Sequence, residues 1–203
     1  ARLQADDLRQ LIKIGALDSI ADGYTRPMLL WQLDAGGRGD GRGQGDWIDS
    51  GAAGQRGSGA VLEDVPRLRE YSEERRRREE HAALGFLTGC HPMVLHRDTL
   101  RRFRLCRSTE LHRQVGRSVL VAGMLTTAKP VRTIKDEPMQ FATFDDGHGL
   151  IESVLVPDLY RKRGHVLFDQ GPFLMRGTVT EEFGVVSLTI TDLDRLDRVA
   201  RKA

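Results

Sequence analysis

Cysteine is scarce in this chain: 203 residues hold two, Cys90 and Cys106. That is too few for a disulfide framework and suits a reducing compartment. Long apolar runs are lacking too. No stretch reaches the roughly 18 consecutive apolar residues that span a bilayer, and the first residues lack the apolar core of a signal peptide. A cytoplasmic location without membrane contact is therefore expected. Excess charge of either sign is also lacking: Lys and Arg number 31 against 29 Asp and Glu, a net of +2. A dedicated duplex-DNA binder is far more basic, so any nucleic-acid binding has to come from a local patch. There is no initiating Met either. The chain opens on Ala1, which fits a piece of something longer, a trimmed chain or removal of the initiator. Its length suffices for one good-sized domain with appendages or two small ones.

What is there begins with helical periodicity. Leu3, Leu8, Leu11, Ile12 and Ile14 recur at helical spacing, and Gly15 follows them where a left-handed C-cap belongs. A second helix is predicted from about Thr25, with Pro27 in its first turn and Met28, Leu29, Leu30, Trp31 and Leu33 along it. Residues 1–35 thus read as a helical hairpin. From Gly36 to Gly59 ten of 24 residues are glycine, and too few apolar side chains remain to offset ordering entropy, so residues 36–60 read as a flexible linker. It lacks the ending and the preceding strand of a phosphate-binding loop. Residues 61–115 read as a helical, Arg-rich connector. A helix is expected over 66–88, its run SEERRRREEH laced with i,i+4 Glu–Arg pairs and broken by Cys90-His91-Pro92. Residues 91–116 then carry six arginines against Asp98 and Glu110.

The remainder alternates as strands. Ser118–Ala128 is long and β-branched, with Gly123 inside it, where a barrel strand bulges or bends. Met139–Phe144 and Leu150–Val156 flank the turn Asp145-Asp146-Gly147-His148-Gly149. After a helical or irregular stretch over 157–170, Phe173–Thr180 and Val185–Leu193 form a second hairpin. Five strands with a helix between the third and fourth give the order of the five-stranded Greek-key barrel known as the OB-fold, over residues 116–195, with 196–203 as a tail. The fold class expected is α+β: an N-terminal helical hairpin and helix, then an OB-fold.

Four segments, in order, resemble the bacterial C-family DNA polymerases, the alpha subunit of DNA polymerase III or its error-prone relative. They are LIKIGALDSIADGYTRPMLLWQL, LREYSEERRRREEHAALGFLTGCHPM, VGRSVLVAGMLTTAKPVRTIKDEPMQFATFDDGHGLIESVLVPDLYRK and PFLMRGTVTEEFGVVSLTITDLDRL. The first is similar to the end of that family's tandem helix-hairpin-helix region, the second to its helix with a Glu ahead of LGFYLSGHPL, and the last two to its OB-fold. The resemblance covers nearly the whole chain apart from the glycine tether. It implies a module of a replicative or error-prone polymerase that binds single-stranded DNA, works beside the rest of the holoenzyme, and docks the sliding clamp through a pentapeptide of form Q-x-x-(L/M)-F. Gln44-Gly45-Asp46-Trp47-Ile48 occupies that place, with Trp-Ile where the family has Leu-Phe. On a tether, Gln44, Asp46, Trp47 and Ile48 are free to find a surface groove; the alternative is an incidental apolar pair in a linker.

No segment matches a polymerase palm, whose paired carboxylates hold two metal ions. No catalytic residue, metal or cofactor is therefore assigned. Asp145-Asp146 reads as turn chemistry, and the spacing of Cys90, His91, His96 and Cys106 fits no common zinc site. Alternation turns Ala142 and Phe144 inward and leaves Gln140 out of step. It places Phe141 and Thr143 on the outer face with Glu152 and Val154 opposite, the face on which such barrels bind single strands. Phe141 either stacks a base there or packs under the first loop or against the preceding helical region. That loop brings Lys129, Arg132 and Lys135 toward phosphates, beside Asp136 and Glu137, and the last hairpin brings Phe183 beside Glu181 and Glu182. From Gly116 to Ala203 twelve cations meet twelve anions, so weak, salt-sensitive binding is expected. The other function class left open is a stand-alone OB-fold protein acting in trans in DNA repair.

Overall fold

The computed structural model describes residues 3–36, 65–169 and 171–201, and the chain divides into two compact units, Ala1–Gly89 and Cys90–Ala203. In the first, α1 (Ala5–Ile14) starts with the Asp7 carboxylate accepting from the Gln4 backbone N–H at 3.0 Å. It ends at Gly15, whose φ of +80° is the left-handed cap the sequence predicts. A side chain at Gly15 would also run into the Arg26 guanidinium, 2.0 Å from where its Cβ would stand. Arg26 is buried, and its guanidinium donates to the Asp18 carboxylate at 2.7 Å and to the Lys13 carbonyl at 2.9 Å. It thereby ties the end of α1 to the start of α2 (Arg26–Gly36). Thr25 precedes α2, its Oγ1 accepting from the Met28 N–H at 3.4 Å.

Helix α3 (Glu73–Leu84) is shorter than the 66–88 expected. Residues 65–72 have no regular secondary structure, Ser72 caps the N-terminus by accepting from the Arg75 N–H, and Gly85 at φ +78° ends it before Cys90-His91-Pro92 is reached. The expected ladder is present in Glu73–Arg77, Glu74–Arg78 and Arg75–Glu79. No helix among the described residues is long and apolar enough to cross a membrane.

In the second unit a 3₁₀ turn (Pro92–His96), α4 (Arg97–Leu100) and a second 3₁₀ turn (Ser108–Gln114) lead into the barrel. The barrel consists of β1 (Ser118–Arg132), β2 (Pro138–Asp145), β3 (Leu150–Leu155), β4 (Phe173–Glu182) and β5 (Val185–Arg195), closed in the order β1-β2-β3-β5-β4. Helix α5 (Pro157–Arg163) stands between β3 and β4, and α6 (Leu196–Ala200) follows β5. This is the α+β, OB-fold architecture the sequence implies. β1 serves two partners, running antiparallel to β4 through Gly123 and to β2 from Met124. The bulge falls between Leu125 and Thr127. Gly123 marks the handover, where a Cβ would meet the Asp145 carbonyl at 3.0 Å.

Period-two alternation fills the barrel with Val121, Phe144, Ile151, Leu155, Phe173, Met175, Val179, Leu188, Ile190 and Leu193, all fully buried. Phe144 and Phe173 meet edge to face, centroids 5.9 Å apart. A second cluster lies on the outside of β1 and β4. Ala122 and Leu174 point away from the barrel interior and are covered by Met93, Leu196 and the partly buried Leu100, Phe103 and Leu105. The Arg-rich window is thus a cover: its apolar side chains pack on the barrel while Arg97, Arg101, Arg102 and Arg104 stay exposed.

Candidate nucleic-acid interface

One side of the barrel exterior is covered by residues 93–105 and α6; the outer faces of β2 and β3 carry Phe141 and Glu152 exposed. Register fixes what stands on that face. Phe141 pairs with Lys129 on β1 and with Val154 on β3, and Val154 pairs with Thr189 on β5. Directly opposite residues project to one side, so Lys129, Phe141, Val154 and Thr189 form a row. Thr127, Thr143 and Glu152 form the next. Phe141 is 47% exposed, whereas Gln140, Ala142 and Phe144 are buried. Gln140, which alternation left unassigned, therefore points inward in step with its neighbours, and its Oε1 is buried without a hydrogen-bond partner among the described residues.

The two rows differ chemically. Phe141 offers a π-face, with Lys129 directly opposite it on β1, exposed and in no ion pair among the described residues. In the second row the Thr143 hydroxyl donates to Glu152 Oε2 at 2.9 Å. Register also sets the rims. The β1–β2 turn over 133–137 lies at one end of the barrel, and the β2–β3 and β4–β5 turns lie at the other. In the first turn Arg132 is held by Asp136, donating to its carboxylate at 2.9 Å and to its carbonyl at 3.1 Å. Lys135 is exposed, and Ile134 beside it is fully exposed. At the opposite rim Phe183 is fully exposed at the tip of a two-residue turn with Gly184, both at positive φ (+52° and +78°). Glu181 and Glu182 are exposed next to it.

Sequence reading passed over Ile134, Leu150 and Val185. Leu150 and Val185 are each 58% exposed, and they open the parallel strands β3 and β5 at the same end of the barrel. The signal for Leu150 was in hand, since it lies in phase with Glu152 and Val154. Nothing local marked Ile134 as solvent-facing except its place in a polar turn.

Asp145 and Asp146 are turn residues in the structure. Asp145 Oδ1 accepts from the Gly147 N–H at 2.8 Å, with His91 Nε2 3.5 Å away. Asp146 accepts from the backbone N–H groups of Ser108, His148 and Gly149 and from the Ser108 hydroxyl, at 2.7–3.0 Å. Burial pushes the Asp146 carboxyl up, but these four donors outweigh it and hold the group below its ordinary value. Burial raises the Cys106 thiol, with Glu110 and Asp146 adding to it. Among the described residues no three His, Cys, Asp or Glu side chains are grouped to hold a metal ion. Gln44, Asp46, Trp47 and Ile48 lie outside the described residues, as does most of the glycine tether.

No family model matches the chain. The error-prone DNA polymerase of Symbiobacterium thermophilum is 26% identical to it over 94% of this chain and 19% of that protein. That of Aromatoleum aromaticum is 31% identical over 82% of this chain and 14% of its own length. The DNA polymerase III alpha subunit of Halalkalibacterium halodurans is 32% identical over 45% and 9% respectively. The chain spans less than a fifth of the length of each of these relatives. With the barrel in the expected place, the sequence identifies the chain as a homologue of the C-terminal region of the bacterial C-family DNA polymerases.

Proposed function

We propose that this chain serves a C-family DNA polymerase as a non-catalytic module that holds single-stranded DNA on the outer face of β2 and β3. The observation that carries this is Phe141: a half-exposed aromatic ring on an open barrel face, with exposed Lys129 as its cross-strand partner. A π-face accepts any base and an adjacent cation accepts the backbone, which is the chemistry of sequence-tolerant single-strand binding. Lys135 and Ile134 at one rim and Phe183 at the other extend the surface in both directions. The helices of the first unit are read as the end of the helix-hairpin-helix region, and strand extension itself is assigned to the rest of the polymerase, within a cytoplasmic holoenzyme.

Phe141→Ala tests the face. In anisotropy titrations with a labelled oligonucleotide at low salt, affinity is expected to fall roughly 5- to 100-fold, the worth of one lost stack. Unchanged affinity, with the circular dichroism of the folded chain retained, removes the face from consideration. Clamp docking rests on Gln44, Trp47 and Ile48 as sequence. The double change Gln44→Ala with Trp47→Ala is expected to abolish pull-down of the sliding clamp; retained pull-down makes the segment plain linker.

A further inference from the structure

Glu152 is an odd residue for a surface that meets phosphates. It stands exposed in the middle of the proposed face, one row from Phe141, and no cation is paired with it among the described residues. Simple repulsion of DNA would be its effect if it pointed freely into solvent. Its position is set instead: Oε2 accepts the Thr143 hydroxyl hydrogen at 2.9 Å, which spends that hydrogen and fixes the carboxylate against β2. Oε1 has no hydrogen-bond partner among the described residues. A carboxylate is acceptor-only, and a Thr hydroxyl whose one hydrogen is donated can likewise only accept. The Thr143–Glu152 pair beside the stacking residue therefore presents acceptors and no side-chain donor, Thr127 of the same row lying on the far side of Thr143.

Phe141 and Thr143 are two residues apart on one strand, about 6–7 Å. A base lying on the Phe141 ring can thus turn one edge over the Thr143–Glu152 pair. We infer that Glu152 makes this face prefer bases with an exocyclic amino group over uracil and thymine, an inference that rests on the face binding single strands as proposed above. Cytosine offers its N4 amino group, for which a carboxylate is a fitting acceptor. Uracil of the same size and shape presents O4 in that place. Its one N–H on that edge is flanked by two carbonyl oxygens, which oppose an approaching carboxylate.

The test compares labelled oligo-deoxycytidine with oligo-deoxyuridine, each about 12 nucleotides, in anisotropy titrations of the full chain at one low salt concentration. The wild-type chain is expected to bind the cytosine strand roughly tenfold tighter, the low end for a hydrogen bond to a charged group. Glu152→Gln keeps the size and the acceptor for Thr143 but adds a donor that serves O4. It is expected to bring the preference below about twofold, chiefly by tightening the uracil strand. Thr143→Val, which frees the carboxylate from its anchor, is expected to weaken the preference for the cytosine strand. Equal wild-type affinity for the two strands overturns the inference while leaving the binding face standing. So does a Glu152→Gln chain that binds both strands tighter by the same factor, since that is repulsion alone. Failure to bind either strand overturns the face itself and this inference with it.

Discussion

Phe183 sits where a side chain is poorly tolerated. The two-residue turn between β4 and β5 requires positive φ at both positions, which favours Asn-Gly or Asp-Gly, yet the first position holds a phenylalanine at φ +52° with its ring entirely in solvent. The ring gains nothing from burial there, and the backbone conformation costs about 1–2 kcal/mol for an L-residue. An exposed aromatic held in that conformation is the kind of outlier that functional surfaces carry, in keeping with the face proposed above. Phe183→Asn is accordingly expected to raise the unfolding free energy in urea by about 0.5–1 kcal/mol while weakening single-strand binding. A gain in stability with unaltered binding would leave Phe183 as a costly turn residue with no role on the face. Phe141 differs in kind, for its backbone is ordinary strand and only its exposure is unusual.

Between elements, the Asp146 carboxylate joins the β2–β3 turn to the segment before β1. It receives two turn N–H groups from its own hairpin and both the N–H and the hydroxyl of Ser108. Asp146→Ala leaves those donors without their acceptor and is expected to cost about 1–3 kcal/mol at neutral pH by chemical denaturation. The pH dependence has a definite sign. The folded-state value lies below the unfolded one, near 3.9, so the unfolded chain takes up the proton first on acidification. The contribution is fully present above about pH 4 and is lost as pH falls through the lower, folded value. The stability gap between wild type and Asp146→Ala should therefore shrink below that pH; a gap that widens on acidification contradicts the assignment. Gly177 is a second fixed point, because a Cβ there would stand 2.5 Å from the Thr189 carbonyl, beside the β4 irregularity between Arg176 and Gly177.

For the whole molecule the relevant quantity is charge. The barrel region carries twelve cations and twelve anions, and of the three cations proposed near the face, Arg132 is bonded to Asp136. Two to three phosphates is then the most the face neutralises. Since each contributes about −0.7 to the slope of log affinity against log salt for single strands, a slope between about −1.4 and −2.1 is expected. A slope steeper than about −4 would transfer the binding to the exposed arginines of the 91–116 window. Those arginines ride on a segment whose apolar side chains pack on β1 and β4, so the same stretch that covers one side of the barrel lines its own outer surface with positive charge.

Local rules sufficed for much of this protein. Period-two alternation located the five strands and put Ala142 and Phe144 inside, where they are buried, because one register serves a strand with one buried face. Glycine at Gly15 ended α1 because a left-handed residue is needed there, and the Glu–Arg spacing built the solvated ladder of α3. The strand order gave the OB-fold, and the resemblance of four segments pointed to the family. Other features were not legible in the pattern, some set by neighbours within a turn and some by residues distant in sequence. Helix α3 ended early because Gly85 took the cap, a competition that the charged run did not reveal. Arg132 lost its freedom to Asp136 across a turn. Asp146 found Ser108 thirty-eight residues away. The Arg-rich window became a cover once Met93, Leu100 and Phe103 found Ala122 and Leu174 on the barrel exterior. That Thr143 would orient Glu152 beside Phe141 was set by cross-strand pairing. Alternation assigns a side chain to a face, but only the paired strands decide which neighbour it meets there.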